Sequence, residues 1–331
     1  MSTTTTGHEL PAARGRFAPI KAAALLIGLA LLLVAPLAVY PVFLMKLLCF
    51  ALFAAAFNLL IGYVGLLSFG HATFFGGAAY VTAYAVKAWG LPTEIGIVLG
   101  VAAAAAAGLV VGALAIRRQG IYFAMITLSL GQMAFFFFLQ APFTGGEDGI
   151  QSVPRGTLLG FLDLSDTMTM YYFVVAVFLF GLFVIWRTVN SPYGYILKAI
   201  RENEDRATSL GYRVDQYKLG AFVMSAAIAG LAGATKVLVF QLATLTDVGW
   251  QMSGEVILMT LLGGIGTMLG PVVGVGLVIS LQNVLASSGL PIGVVIGAIF
   301  VLCVLVFRRG IVGEIEALWV RKTKFARKNA K

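Results

Sequence analysis

Charge is what this sequence lacks most. Only 11% of its 331 residues are Asp, Glu, Lys or Arg, while 60% are hydrophobic. Soluble globular chains carry about a quarter charged residues and under half apolar ones. Here 23 basic and 14 acidic side chains are too few to coat a soluble 35 kDa globule. The same apolar content excludes disorder and coiled coil. Cysteine is nearly absent. Cys49 and Cys303 each lie inside an apolar run and offer neither a disulfide framework nor a Cys-based metal site. Catalytic patterns are missing too, with no Ser-His-Asp order and no H-E-x-x-H pair. His8 and His71 are the two histidines. An enzyme is therefore not expected, and no cofactor or metal site is offered. Thr144-Gly145-Gly146-Glu147-Asp148-Gly149 is not followed by the Gly-Lys-Ser/Thr of a phosphate loop and lacks the carboxylate spacing of a Ca²⁺ loop. The glycines of 253–274 miss the G-x-G-x-x-G spacing and sit in an apolar run. Deep carboxylates are scarce as well. Every acidic residue falls in a loop or near a predicted helix end, Glu255 being the nearest to an exception. An ion-coupled carrier keeps such a group inside the bilayer, so any energy for transport must come from another chain.

What the sequence has is long apolar runs. A membrane-spanning helix needs about 20 predominantly apolar residues. Ten stretches qualify, at roughly 21–40, 42–61, 65–88, 94–115, 120–139, 170–187, 217–240, 252–267, 270–286 and 291–308. Divisions near Pro41, Gly62 to Gly65 and Gly270-Pro271 are soft, so eight or nine spans also fit. The expected fold is an all-α polytopic membrane protein. The first run is longer than the apolar core of a typical cleaved signal.

Orientation follows from lysine and arginine, which cytoplasmic flanks retain. With the N-terminus inside, ten spans return the C-terminus to the inside, and 19 of the 23 basic residues then fall on that side. They include Arg14, Arg16, Arg117, Arg118, the set from Arg187 to Lys218, and Arg308 and Arg309. The others are Lys46, Lys87, Arg155 and Lys236; three of them lie near predicted outer helix ends, where a lysine can carry its amine to the interface. The net charge of +9 thus reads as a topology signal, not a nucleic-acid footprint.

Residues 1–19 read as a disordered cytoplasmic tail, 20–310 as the transmembrane domain, and 311–331 as a basic tail attracted to anionic lipid. Two hydrophilic interruptions differ in kind. The outer one, 141–169, is Gly-rich and acidic, whereas the inner one, 188–216, carries both charge signs and a helical pattern. Ser191 and Pro192 suit an N-cap and first turn, and Gly211 suits a stop. Ile196, Leu197, Ile200, Ala207 and Leu210 recur at helical spacing, with Glu202 and Arg206 placed to pair at i, i+4. An interfacial anchor would have this amphipathicity. The mixed charge fits a cytoplasmic protein partner better.

The run 62–84 contains Gly62, Gly65, Gly70, Gly76 and Gly77, with Ser68, His71 and Thr73 among them. Small residues permit close helix packing or a helix break lining a protein-covered cavity. His71 satisfied by a neighbouring helix is the plainer reading; a polar lining of a translocation path is the functional one. Thr127, Ser129 and Gln132 form a second polar patch. Ser68, His71, Thr73 and Gln132 are the path candidates. Gly270-Pro271 suggests a re-entrant or kinked helix pair near 253–274.

Five blocks in order, GYVGLLSFGHATFFGGAAY, YFAMITLSLGQ, TGGEDGI, SPYGYILKAIRENEDRATSLGY and LLGGIGTMLGPVVG, resemble the LivM-type permease subunit of branched-chain amino acid ABC importers. The resemblance runs over about 45–310. It implies an ABC importer permease fold in the bacterial inner membrane. Its implied partners are a second related permease, two cytoplasmic ATPases and a periplasmic binding protein that delivers the solute. It also implies that the 188–216 segment docks on the ATPase, with Ala199, Arg201, Glu202, Asn203 and Gly211 at the contact. Asp205 departs from the aliphatic residue usual there. The implied cargo is leucine, isoleucine and valine, while related permeases carry urea, short amides or aromatic acids. A self-contained secondary carrier or channel is the other class.

Overall fold

The computed structural model describes residues 28, 30, 32–158, 160, 162–286, 292–306 and 310–314. The expected tail 1–19, residues 315–331 of the basic tail, and Arg308 and Arg309 lie outside the described residues. Of the expected first span, 32–38 is helical. Helix α1 (Pro41–Asn58) opens on a proline, whose missing N–H costs nothing in a first turn. It runs into a π-helical turn, Leu59–Val64, that Gly65 closes at φ 85°. Then come α2 (His71–Lys87), α3 (Thr93–Ala115), α4 (Ile121–Gln140) and α5 (Thr167–Val189). The second half comprises α6 (Pro192–Glu202), α7 (Glu204–Ser209), α8 (Val214–Phe240), α9 (Trp250–Gly263), α10 (Gly270–Ala286) and α11 (Ile292–Val306). Among the described residues, α1 with its π turn, α3, α4, α5 and α8 are long and apolar enough to cross a membrane.

Two expected spans are shorter than their apolar runs. The run 65–88 is helical only from His71, and the run 252–267 ends its helix at Gly263. At 1.5 Å per residue these helices of 17 and 14 residues rise about 25 and 21 Å, short of the ~30 Å hydrocarbon core. Each is completed by irregular backbone, 65–70 before α2 and 241–249 before α9.

Helix α8 lies at the centre, against α1, α2 and α3, through small residues. A methyl group added at Gly233 would sit 1.9 Å from the Phe75 carbonyl oxygen. On α3, Gly96, Gly100, Ala104, Gly108 and Gly112 recur every fourth residue and are all buried. This stripe lets backbones meet closely, which is how helices associate in a medium with no hydrophobic drive between them. The α9–α10 pair is equally tight. Added methyls at Gly263 and Gly274 would fall 1.8 Å from the Gly270 oxygen and 1.9 Å from the Met259 oxygen. The glycines around Gly270-Pro271 thus build a close helical hairpin.

The 141–166 segment ties one end of the bundle together. Strand β1 (Ile150–Gln151) pairs antiparallel with β4 (Leu242–Ala243), while β2 (Thr157–Leu158) pairs with β3 (Leu162–Asp163). Lys87 Nζ donates to the Gln151 oxygen at 2.6 Å, and Thr93 Oγ1 to the Arg155 oxygen at 2.7 Å. Arg155 donates to the Leu238 and Val239 oxygens at 3.2 and 2.9 Å, placing a cation on the carbonyl end of α8. Lys236 corrects the expectation of an amine carried to the interface. It pairs with the buried Asp247 carboxylate, which also accepts from Thr244 Oγ1 at 2.9 Å. The returning chain puts a counter-ion nearer than the water.

Candidate functional site

Segment 188–216 folds as a short helical hairpin at the end of the bundle opposite the β pairs. Ser191 Oγ accepts from the Gly194 N–H at 3.4 Å, and Pro192 occupies the first turn. Leu197 and Ile200 turn inward, and Ile200 meets Ala207 and Val214. Tyr193 stacks on Tyr217 and donates to its carbonyl at 2.7 Å. Burial, then the neighbouring Tyr217, push the Tyr193 phenol up to about 12.

A single amphipathic helix over 191–211 is not what forms. Asn203 adopts φ −160°, ψ 102°, ending α6 and starting α7. Its Oδ1 accepts from the Arg206 N–H at 2.9 Å, an N-cap bond that helical backbone at Asn203 would forfeit. The break removes the i, i+4 geometry expected for Glu202 and Arg206. Glu204 reaches instead to Lys218 on α8 at 2.5 Å, where the lysine side chain is 3% exposed. Gly211 takes φ 88° and closes the hairpin. Ala199, Glu202, Asn203 and Gly211 all lie on the exposed surface, beside Tyr195, Leu210 and Tyr212.

Arg201 is exposed like these neighbours but is also bonded to the bundle. Its Nη1 donates to the Gly62 carbonyl in the π turn, and its stem lies along Gly65. Lys198, one turn earlier on the same face, holds its Nζ 5.5 Å from the Tyr63 ring centroid. Beside them Asn58 bonds the turn that joins α9 to α10. Its amide donates to the Thr267 oxygen at 2.8 Å, and its carbonyl accepts from the Gly266 N–H at 2.9 Å. Gly62 has no room for a side chain, since an added methyl would lie 2.7 Å from the Gly266 nitrogen.

The interruption at 65–70 frees backbone groups that apolar surroundings would leave unpaired. Side chains from other helices take them up. The Phe69 N–H donates to Thr127 Oγ1 at 3.2 Å, and the Ala72 N–H to Ser253 Oγ at 2.9 Å. Helix α4 crosses here backbone to backbone, because a methyl at Gly70 would meet the Thr127 oxygen at 2.2 Å. Ser68 and His71 are fully buried at this break. Ser68 Oγ and Thr73 Oγ1 are without hydrogen-bond partners among the described residues. His71 Nε2 lies 2.9 Å from Ser225 Oγ, which in turn donates to the Ala56 oxygen at 2.5 Å. The hydroxyl proton being used, Nε2 must carry the imidazole proton, and Nδ1 remains a bare acceptor. Phe53, Phe57, Phe74 and Phe222 surround the ring. The structure therefore gathers Ser68, His71 and Thr73 at one break. Gln132 stands half-buried on α4, one residue past Gly131, whose added methyl would lie 3.4 Å from Thr73 Oγ1.

Sequence reasoning missed Asn58, which bonds the α9–α10 turn, Ser253, which caps the first turn of α2, and Ser225, which links His71 to the Ala56 carbonyl. Their one signal is a polar side chain inside an apolar run, where it must find a partner. The outer face of α4 is open. Tyr122, Met125, Met133, Phe136 and Phe137 are exposed, and a groove of about 750 Å³ at its Arg118 end includes Tyr122, Met125 and Ser129.

Residues 41–308 match the family described as branched-chain amino acid transport system / permease component. The chain is also similar to two proteins named high-affinity branched-chain amino acid transport system permease protein LivM, from Salmonella typhimurium and Escherichia coli. Identity to each is 33% over 199 residues, covering 53% of this chain and 47% of the relative. The chain thus spans about half the length of the curated relatives it matches. No solved structure matches it.

Proposed function

Since the chain belongs to the family of branched-chain amino acid transport system permease components, we propose that it is the membrane-spanning permease subunit of an ATP-driven importer. In this reading it passes leucine, isoleucine, valine or similar small solutes across the bacterial inner membrane. A periplasmic binding protein delivers the solute, a second related permease completes the path, and two cytoplasmic ATPases supply the energy. Both termini lie inside, and about ten helices cross the membrane.

The observation that carries this reading is the α6–α7 hairpin. It joins two long apolar helices, buries Leu197 and Ile200 against the bundle, and leaves Glu202, Asp205 and Arg206 exposed. A mixed-charge surface on a firmly seated hairpin suits a protein partner that pushes on it. The break at 65–70, with Ser68, Thr73 and nearby Gln132, supplies polar groups for the path, and His71 holds the break from behind. The exposed apolar face of α4 suits the second permease.

The test is reconstitution of the chain with its partner permease, ATPases and binding protein in liposomes. ATP-dependent uptake is expected, and competition among leucine, urea, a short amide and an aromatic acid identifies the cargo class. Glu202→Lys should leave the chain inserted while separating ATP hydrolysis from uptake. Normal transport by that variant would remove the docking role, and gradient-driven flux through the chain alone would replace an importer subunit with a self-contained carrier.

A further inference from the structure

The hairpin residue Arg201 is exposed, yet its guanidinium is tied to the bundle. Nη1 is committed to the Gly62 carbonyl, and the stem packs on Gly65 at the end of the π turn. Three segments converge at this point. The π turn 59–64 leads directly into the break at 65–70. The α9–α10 turn is held there by Asn58 through Gly266 and Thr267. An added methyl on Gly266 would stand 3.2 Å from the Gly62 oxygen and 3.4 Å from Arg201 Nη1. The third segment is α6 itself, with Lys198 over Tyr63 as a second hold on the same turn.

From the junction two routes reach the break. One is the backbone from Gly62 to Gly70. The other is α9, whose Ser253 accepts from the Ala72 N–H at the first turn of α2. Two further polar ties between the hairpin and the bundle, Glu204 to Lys218 and the Tyr193 hydroxyl to the Tyr217 carbonyl, end on α8 and bypass this junction. A charged donor on a backbone carbonyl resists displacement better than an apolar contact, because separation costs the buried Gly62 its charged partner.

We propose that Arg201 is a positioning residue for energy coupling, the strut through which movement of the hairpin is delivered to the Gly62–Gly266 junction and so to the broken helix. This rests on the reading of the hairpin as the ATPase-docking segment. It removes Arg201 from the docking contact and gives it a task on the permease side.

The experiment uses the complete reconstituted complex with wild-type chain, Arg201→Ala and Arg201→Lys. ATPase retention on purification, ATP hydrolysis and solute imported per ATP are measured together. Arg201→Ala is expected to retain the ATPases and hydrolyse ATP while import per ATP falls roughly tenfold, the scale of a typical coupling free energy between two sites. Arg201→Lys, which keeps one donor of similar reach, should recover part of that loss, and it carries the test by itself if the alanine variant does not insert. Loss of the ATPases from Arg201→Ala would make the residue a docking contact, and unchanged import per ATP would leave it without a coupling task. Either result overturns the proposal while the docking reading stands. A wild-type chain that retains no ATPase overturns the docking reading and the strut with it.

Discussion

Helices α4 and α8 have nearly the same hydropathy, yet most of α8 is buried inside the chain and most of α4 is not. Apolarity alone therefore says that a helix suits a bilayer, not where in the bundle it stands. The difference lies in side-chain size. Helix α8 carries Ala226, Ala229, Gly230, Gly233 and Ala234, which let α2 and α3 approach its backbone. Helix α4 carries Phe135 to Phe138, of which Phe138 stacks on Tyr80 of α2 while Phe136 and Phe137 are exposed, and its backbone comes close to the broken segment at Thr127 and Gly131. In water large apolar residues would be the buried ones. In a membrane lipid accepts them equally well, and small residues mark where two backbones meet closely, while α1 is buried with Phe50, Phe53 and Phe57 in the core.

The comparison breaks most sharply at Gly233. Gly233→Ala forces the Phe75 carbonyl away, and overpacking of this kind costs roughly 3 kcal/mol. The purified chain should unfold at a clearly lower temperature, and an unchanged melting curve would show that the α2–α8 crossing tolerates a side chain. On α4 the outcome should invert. Met133→Lys on the exposed face should leave the stability of the isolated chain in detergent within about 1 kcal/mol, since Met133 is exposed among the described residues. The same change should lower recovery of the two-permease assembly, measured by size-exclusion chromatography with light scattering. A normal assembly would mean that α4 faces lipid.

The smallest effect is expected outside the helix bundle, at the N-cap of α5. The Thr169 N–H and hydroxyl hold the Asp166 carboxyl below its ordinary value. A depressed folded-state pKa gives stability that is present above the unfolded value and is lost as pH falls through the folded one. Hydrogen exchange in the first turn of α5 should therefore quicken as pH drops below the usual carboxylate range, after correction for intrinsic rates. Asp166→Asn should flatten that dependence, and a persisting pH response would assign it to another group.

Much of the fold was legible from periodicity and composition. The run 94–115 became α3, 120–139 became α4, and 270–286 coincides with α10, because a bilayer reads little beyond length and apolarity. The starts and ends of the broken helices were not legible. Residues 65–70 are more Gly-rich than the helix that follows but lie in the same apolar run, and where the helix begins depends on Thr127 and Ser253, 58 and 181 positions away from their bonded partners Phe69 and Ala72. Similarly, Asn203 sits inside a convincing helical pattern. Its side-chain bond to Arg206 and the pull of Lys218 on Glu204 decide against continuity.

By itself the sequence determined that this is a many-helix membrane protein, which stretches are apolar, which segment concentrates charge, and, through five ordered blocks, which family it resembles. These depend on local composition and order along the chain. Tertiary structure alone decided that Arg201 reaches Gly62, that Asn58 and Ser253 bond backbone left unpaired at the turn and the break while Ser225 meets His71, and that α8 is largely buried and α4 largely exposed. Those outcomes depend on which distant carbonyl or hydroxyl comes within reach of an unpaired group. Only the closed fold sets such distances.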